Sequence, residues 1–453
     1  MKLYSCSHCK NQLYFENNVC LVCQHMVGFD AASLSMLTLV ENGSGGLADI
    51  RDAKGLYRWC ENATHGTCNW LIPAADPSAF CIACQLNRTI PELSEGENLA
   101  RWKKIEVAKH RLVYSLLRLK LPVVAKQQRD EPLTASIPDG TANAGSAGTP
   151  VTATGPTGKQ GSGATGISPA GDSGNTGVME KVKGPAVAEG PGEMNGMNKR
   201  NAPVPAEGPA ARDANTGNGT TGPLPAAQEM EDTGIAFDFM ADISPDKRVM
   251  TGHDHGVITL NIEEADEAER VRNKLDLGEK YRTLLGHFRH EIGHYYWDIL
   301  ISDRPPLDGY RKIFGDERQD YGEALKTYYA TGAPADWPDH FISPYASSHP
   351  WEDWAETWSH YMHLMDTLET AYAFGIGIHL PKTNTPTTDI RDPYTLSNFD
   401  TILRMWLPLT FAVNSLNRSM GHADFYPFVI SPAVTEKLRY IHQIAGAGRK
   451  TDK

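Results

Sequence analysis

The chain has 453 residues, 40% of them hydrophobic, enough for two or three domains with real cores. Its formal charge of −12 disfavours general attraction to a nucleic-acid backbone, though not a local basic patch. No apolar run reaches the roughly 18 residues of a bilayer span, and "MKLYSCSHCK" has no apolar stretch after its lysine. The expectation is therefore a cytoplasmic protein with no membrane segment and no secretory signal.

All eight cysteines lie between Cys6 and Cys84. "CSHC" (Cys6, Cys9) and "CLVC" (Cys20, Cys23) are two CxxC knuckles. A second group has Cys60 and Cys68 in "CENATHGTC", then Cys81 and Cys84 in "CIAC". Two sets of four thiolates at knuckle spacing fit two tetrahedral four-cysteine zinc sites. A disulfide framework would require export, which the start of the chain does not support. Consecutive pairing would give two ribbons and alternating pairing a cross-braced module; His8, His25 and His65 are near enough to replace a cysteine.

"NLARWKKIEVAKHRLVYSLLRLKLP" predicts an amphipathic helix with an apolar stripe of Trp102, Ile105, Leu112, Leu116 and Leu119, closed by Pro122. Its basic residues (Arg101, Lys103, Lys104, Lys109, Arg111, Arg118, Lys120) read as a solvated face rather than a phosphate-binding one. From 126 to 232 the composition turns to Gly, Pro, Ala, Thr and Ser with hardly an aromatic, too little apolar content to offset ordering entropy. The chain thus divides into 1–125, a zinc-ribbon region plus helix; 126–232, a disordered linker; and 233–453, a globular domain.

In the last region "GVITLNI" (256–262) alternates as a strand does, and "EADEAERVRNKLDLG" predicts a helix ending near Gly278. "EKYRTLLGHFRHEIGHYYWDILI" predicts a stronger helix, with Tyr281, Leu284, Leu285, Phe288, Ile292, Tyr295 and Ile299 as its buried stripe. His287, His290, Glu291, His294 and Asp298 lie on the adjoining face. Positions i and i+4 project from one face of a helix. His290 and His294 can therefore present two imidazoles to one ion, with Glu291 beside them to activate a water. A third ligand from a His six residues after His294 fails, because that position is Leu300. "HPWEDWAETWSHYMH" (349–363) offers a carboxylate instead. Glu352 is favoured, in an E-x-x-A pattern whose Ala355 lets two helices pack closely; Glu356 is the other candidate, or an acceptor orienting a ligand imidazole. His360 and His363 share that side of the helix, where polar surface groups explain them as well.

These stretches resemble a bacterial family of zinc-binding metallopeptidases that carry an N-terminal zinc-ribbon region. The resemblance rests on "GHFRHEIGHYYW", "TGHDHGVITLNIEEAD", "SPYASSHPWEDWAETWSHYMH" and the "CNWL" that begins at Cys68, and covers nearly all of the chain except the linker. It implies His290 and His294 as ligands and Glu291 as general base; Glu352 follows from spacing.

The expected fold class is α+β, a mainly helical zincin-like domain with a short sheet, preceded by the ribbon module and the linker. The expected cofactors are one catalytic and two structural zinc ions, and the expected substrate a peptide or protein. Zinc-activated water would attack a peptide carbonyl while Glu291 takes the proton and passes it to the leaving amine. Tyr345 or His349, just before Glu352, is the candidate donor to the substrate oxygen. His253 and His255 in "TGHDHG" could line the site or be turn residues. Three competing readings are a non-catalytic zinc-binding regulatory protein, which could meet a partner through the ribbon region, a nucleic-acid-binding ribbon protein, and a di-iron protein. The last needs a second Glu-x-x-His, and Glu291 to His294 is alone in the sequence.

Overall fold

The computed structural model describes residues 2–42, 46–126, 233–242, 249, 251–268, 270, 283–379 and 388–446. The linker reading of 126–232 lies outside these residues except for Lys126, as does most of the helix expected after the strand at 256–262. Helix and sheet are mixed. Among the described residues no helix is long and apolar enough to cross a membrane.

The chain opens with a two-stranded antiparallel ladder, β1 (Tyr4–Ser5) and β2 (Gln12–Leu13). An antiparallel five-stranded sheet follows in sequential order: β3 (Met26–Asp30), β4 (Ser35–Glu41), β5 (Leu47–Asp49), β6 (Asp52–Trp59) and β7 (Leu71–Pro73). Next come β8 (Asn87–Thr89) and helix α1 (Asn98–Arg118). Beyond the linker lie β9 (Ala236–Met240), β10 (Gly252–Asp254) and β11 (Val257–Asn261). Helices α2 (Leu284–Leu300), α3 (Leu307–Phe314), α4 (Tyr321–Thr331), α5 (Trp337–His340) and α6 (Pro350–Ala373) follow. A short β12 (Gly377–Ile378)/β13 (Thr388–Asp389) pair, α7 (Phe399–Ser419) and α8 (Pro432–Ala445) complete the order.

The segments on either side of the linker build one sheet. Its order is β10-β11-β9-β8, with β8 from the first segment paired parallel to β9 from the second. β11 is also parallel to β9, and β10 is the antiparallel edge. A bidentate pair, Arg88 to Asp238, ties β8 to β9 across the same seam. The two segments also meet beside residues 127–232: Ala125 forms a parallel bridge with Ile235, and Ile235 N donates to Val124 O at 2.8 Å.

Helix α1 is buried on more than its expected stripe. Trp102, Ile105, Leu112, Leu116 and Leu119 are fully buried, and so are Glu106, Lys109, Tyr114 and Ser115. Four of its seven basic residues are ion-paired, whereas Lys104 and Lys120 are exposed. Lys109 pairs with Glu106 at 2.8 Å, Arg101 with Asp266 at 2.7 Å, and Arg118 with Glu369 at 2.6 Å and Asp392 at 2.8 Å. Only Arg111, on Glu16 at 2.6 Å, keeps much exposure among these four. Part of the charge run is thus a solvated face and part a set of clamps, Arg101, Lys109 and Arg118, since a buried cation needs a partner to offset desolvation. Tyr114 and Ser115 carry the seam further, donating to Glu369 (2.9 Å) and Asp366 (2.6 Å) on α6.

Helices α2 and α6 form the frame of the second segment. Thr283 caps α2, its Oγ1 accepting from Gly286 N at 3.0 Å, and Phe288, Ile292, Tyr295 and Ile299 are buried as the periodicity predicts. Trp354 and Trp358 of α6 are fully buried against it, each worth roughly 4–6 kcal/mol of apolar burial as an upper bound. Trp354 Nε1 donates to Gly293 O at 2.8 Å, so the crossing point is a hydrogen bond as well as a packing contact.

Candidate metal centre and active site

The α2–α6 crossing brings the sequence-predicted ligands together. A Cβ on Gly293 would lie only 3.1 Å from Ala355 Cα, so the two small residues set the helix separation. One turn before Ala355, Glu352 Oε2 lies 3.0 Å from His290 Nε2 and 3.6 Å from His294 Nε2, and the two imidazole nitrogens are 3.3 Å apart. Tetrahedral coordination at zinc–N/O bonds of about 2.0–2.1 Å requires ligand atoms about 3.3 Å apart. The set fits. Glu352 Oε2 is also a buried acceptor with no hydrogen bond, a state that a bound cation would relieve.

The outer atoms of His290 and Glu352 are held. His290 Nδ1 donates to Glu356 Oε1 at 2.8 Å, and Ser343 Oγ donates to Glu356 Oε2 at 2.6 Å. Glu356 therefore stands behind His290 and fixes its ring and tautomer. Tyr321, at the start of α4, donates to Glu352 Oε1 at 2.6 Å. Although burial opposes charge, the attraction of His294 and the closeness of both imidazoles hold the Glu352 carboxyl well below its usual range. Glu291 is buried and likewise lowered against its burial, chiefly by His287 at 3.3 Å.

Tyr345 lies beside the site, its ring centroid 6.1 Å from that of His290 and 5.8 Å from that of Tyr328. Burial and the Glu352 charge raise its pKa, so it stays a protonated donor. His349 is placed differently. It is the N-cap of α6: Nδ1 accepts from Trp351 N at 3.1 Å, and Nε2 donates to Gln319 O at 3.2 Å. Both of its ring nitrogens thus meet backbone atoms. His253, on the edge strand β10, stacks over His294 (6.2 Å, 18°) while its Nε2 accepts from Gly256 N; burial lowers its pKa to about 3. His360 and His363 hydrogen-bond to Tyr426 and Arg289.

The cysteines separate by consecutive pairing, which resolves the question the spacing leaves open. Cys6, Cys9, Cys20 and Cys23 converge, as do Cys60, Cys68, Cys81 and Cys84. Sulfur separations of 3.5 Å (Cys6–Cys23), 3.6 Å (Cys9–Cys20) and 3.7 Å (Cys68–Cys81) suit the roughly 3.8 Å of a tetrahedron with 2.3 Å zinc–sulfur bonds. With four thiols in each set, His8, His25 and His65 are not needed as substitutes. The second set backs onto α1, with Cys84 Sγ 3.7 Å from His110 Nε2.

Three features escaped the sequence reading. Tyr321 lies 31 residues from Glu352 with no motif to mark it. His110 is hidden in the periodicity of α1. His287 precedes Glu291 by one helical turn, a spacing that was visible, but its partner Glu264 was not.

Two four-cysteine clusters and a His–His–Glu cluster, each with ligand atoms close enough to hold one ion, point to a zinc-binding protein. Comparison with known proteins agrees. Residues 220–444 match the family described as "Putative zinc-binding metallo-peptidase", and residues 3–95 match a zinc-ribbon domain. Uncharacterized proteins of Mycobacterium bovis and Mycobacterium tuberculosis are each 32% identical over 445 residues, 98% of this chain and 95% of the relative. The chain belongs to this metallopeptidase family. No solved structure matches it.

Proposed function

We propose that the protein is a zinc-dependent peptidase with a zincin-like domain, using His290, His294 and Glu352 as ligands and Glu291 as general base. The observation that carries this reading is the convergence of three ligand atoms at 3.0–3.6 Å on the crossing of α2 and α6. The sheet supports it: β10 is an antiparallel edge beside α2, where an extended peptide can add as a further strand. When bound, zinc supplies a Lewis acid that acidifies water and polarises a peptide carbonyl. Glu291 then accepts the proton of the attacking water and delivers it to the leaving amine. Tyr345, held as a phenol beside His290, donates to the oxygen on which charge develops. The two four-cysteine sites hold structural zinc, giving three ions per chain. Eight thiols assigned to metal rather than disulfides suit a reducing compartment, and the cytoplasm is the proposed location.

A second reading, zinc binding without turnover, draws on the burial of the site: the Glu352 and His294 side chains are only 2% and 5% exposed. Fluorescein-labelled casein separates the two. Hydrolysis by the zinc-loaded protein, removed by Glu291→Gln without zinc loss, supports the peptidase. Zinc retention with no hydrolysis in either protein supports the second reading.

A further inference from the structure

Glu291 does not stand alone. One turn earlier on α2, His287 places Nε2 3.3 Å from Glu291 Oε1 and Nδ1 2.7 Å from Glu264 Oε2. Glu264 lies in the short turn of helix after β11 and in turn accepts from Thr251 Oγ1 at 2.7 Å. Four residues from three stretches of chain thus form one polar file: Thr251 and His287 hydrogen-bond to Glu264, and His287 meets Glu291 at ion-pair distance. Glu264 and Glu291 are each 6% exposed, so water does not replace these contacts cheaply.

We propose that His287 and Glu264 are positioning residues for the general base, an inference that rests on the peptidase reading of Glu291. A glutamate side chain has three free torsions, and a base must present one oxygen to the water it deprotonates. Here His287 fixes Oε1, leaving Oε2 for proton transfer, and Glu264 fixes the ring that does the fixing. A ring between two carboxylates serves both only by donating from both nitrogens. In keeping with that, the two carboxylates outweigh burial and raise the His287 pKa to about 9. Neither residue reaches the metal-ligand set, which separates this arrangement from the Glu356–His290 contact. The file also runs to Thr251, next to β10, so the base is braced from the strand on which substrate would lie.

The test uses the zinc-loaded full chain with histidine labelled in nitrogen-15. The wild type is expected to show an imidazole with both nitrogens protonated at pH 7.5 that is absent in His287→Leu and shifted in Glu264→Gln. On labelled casein both variants should keep all three zinc ions and lose kcat about 10- to 100-fold at unchanged KM. A neutral His287, an unchanged kcat, a change in KM alone, or loss of zinc from either folded variant overturns the proposal. If His287→Leu does not fold, Glu264→Gln, which keeps size and shape, decides. If wild type does not hydrolyse casein, the peptidase reading fails and the positioning role falls with it; in an active wild type, an unchanged kcat in His287→Leu and Glu264→Gln overturns the positioning claim alone.

Discussion

Replacing Gly293 by alanine probes the geometry that makes the metal site. A new Cβ would lie 3.1 Å from Ala355 Cα, 3.2 Å from Trp358 Cβ and 3.3 Å from Trp358 Cδ1. Carbon contacts relax to about 3.5 Å or more, so α6 must retreat by about 0.4 Å at this crossing. Glu352 is one turn away on the same helix and moves with it. Coordination distances tolerate only about 0.2 Å, so Glu352 Oε2 is drawn out of reach of an ion shared with His290 and His294. Stability responds less. The helix gains about 1 kcal/mol from Gly→Ala, against an overpacking penalty of about 1–3 kcal/mol. The metal-free variant should therefore melt within a few degrees of wild type, while its affinity for the third zinc, measured by chelator competition, falls tenfold or more. Wild-type affinity in Gly293→Ala would refute the reasoning, because helix spacing would then not set the site.

Three further outcomes follow from the same geometry. Glu356→Ala removes the partner of His290 Nδ1 and should weaken the third zinc about 10- to 100-fold by chelator competition, without abolishing it. Deleting about 135–225 should leave zinc content and any casein hydrolysis unchanged, since Ala125 and Ile235 are bridged and a tether of about fifteen residues reaches roughly 20 Å. Self-cleavage within 126–232 that raises activity would reject this spacer role in favour of autoregulation. The raised pKa of His287, about 9, means the folded state holds its proton more tightly than the unfolded chain. That stabilisation is complete below the unfolded value near 6.5 and fades as pH rises through 9, by at most about 3 kcal/mol. Melting of the metal-free protein should fall across this window more steeply for wild type than for His287→Leu.

What the sequence revealed follows the range of its signals. The HExxH spacing and the Glu-x-x-Ala of the later helix are local, and helix periodicity alone places His290, His294 and Glu352 on the faces that converge. CxxC spacing named the thiols but not their partners, because either pairing satisfies the same spacing. The shared sheet was not legible. β8 has three residues, and its pairing with β9 spans about 150 positions, including the linker. His349, an imidazole before proline and glutamate, is ambiguous in sequence. Only three dimensions show both of its nitrogens on backbone. The basic run of α1 is divided: Lys104 and Lys120 are exposed, but that carboxylates meet Arg101 and Arg118 across the fold cannot be read from sequence.

The central claim, that His290, His294 and Glu352 hold a catalytic zinc, is tested most directly by counting zinc in the full-length protein and two variants. The account predicts three ions per chain in wild type and in Glu291→Gln, and two in Glu352→Ala, with casein hydrolysis in wild type alone. Three ions in a folded Glu352→Ala, or two in wild type, would contradict it.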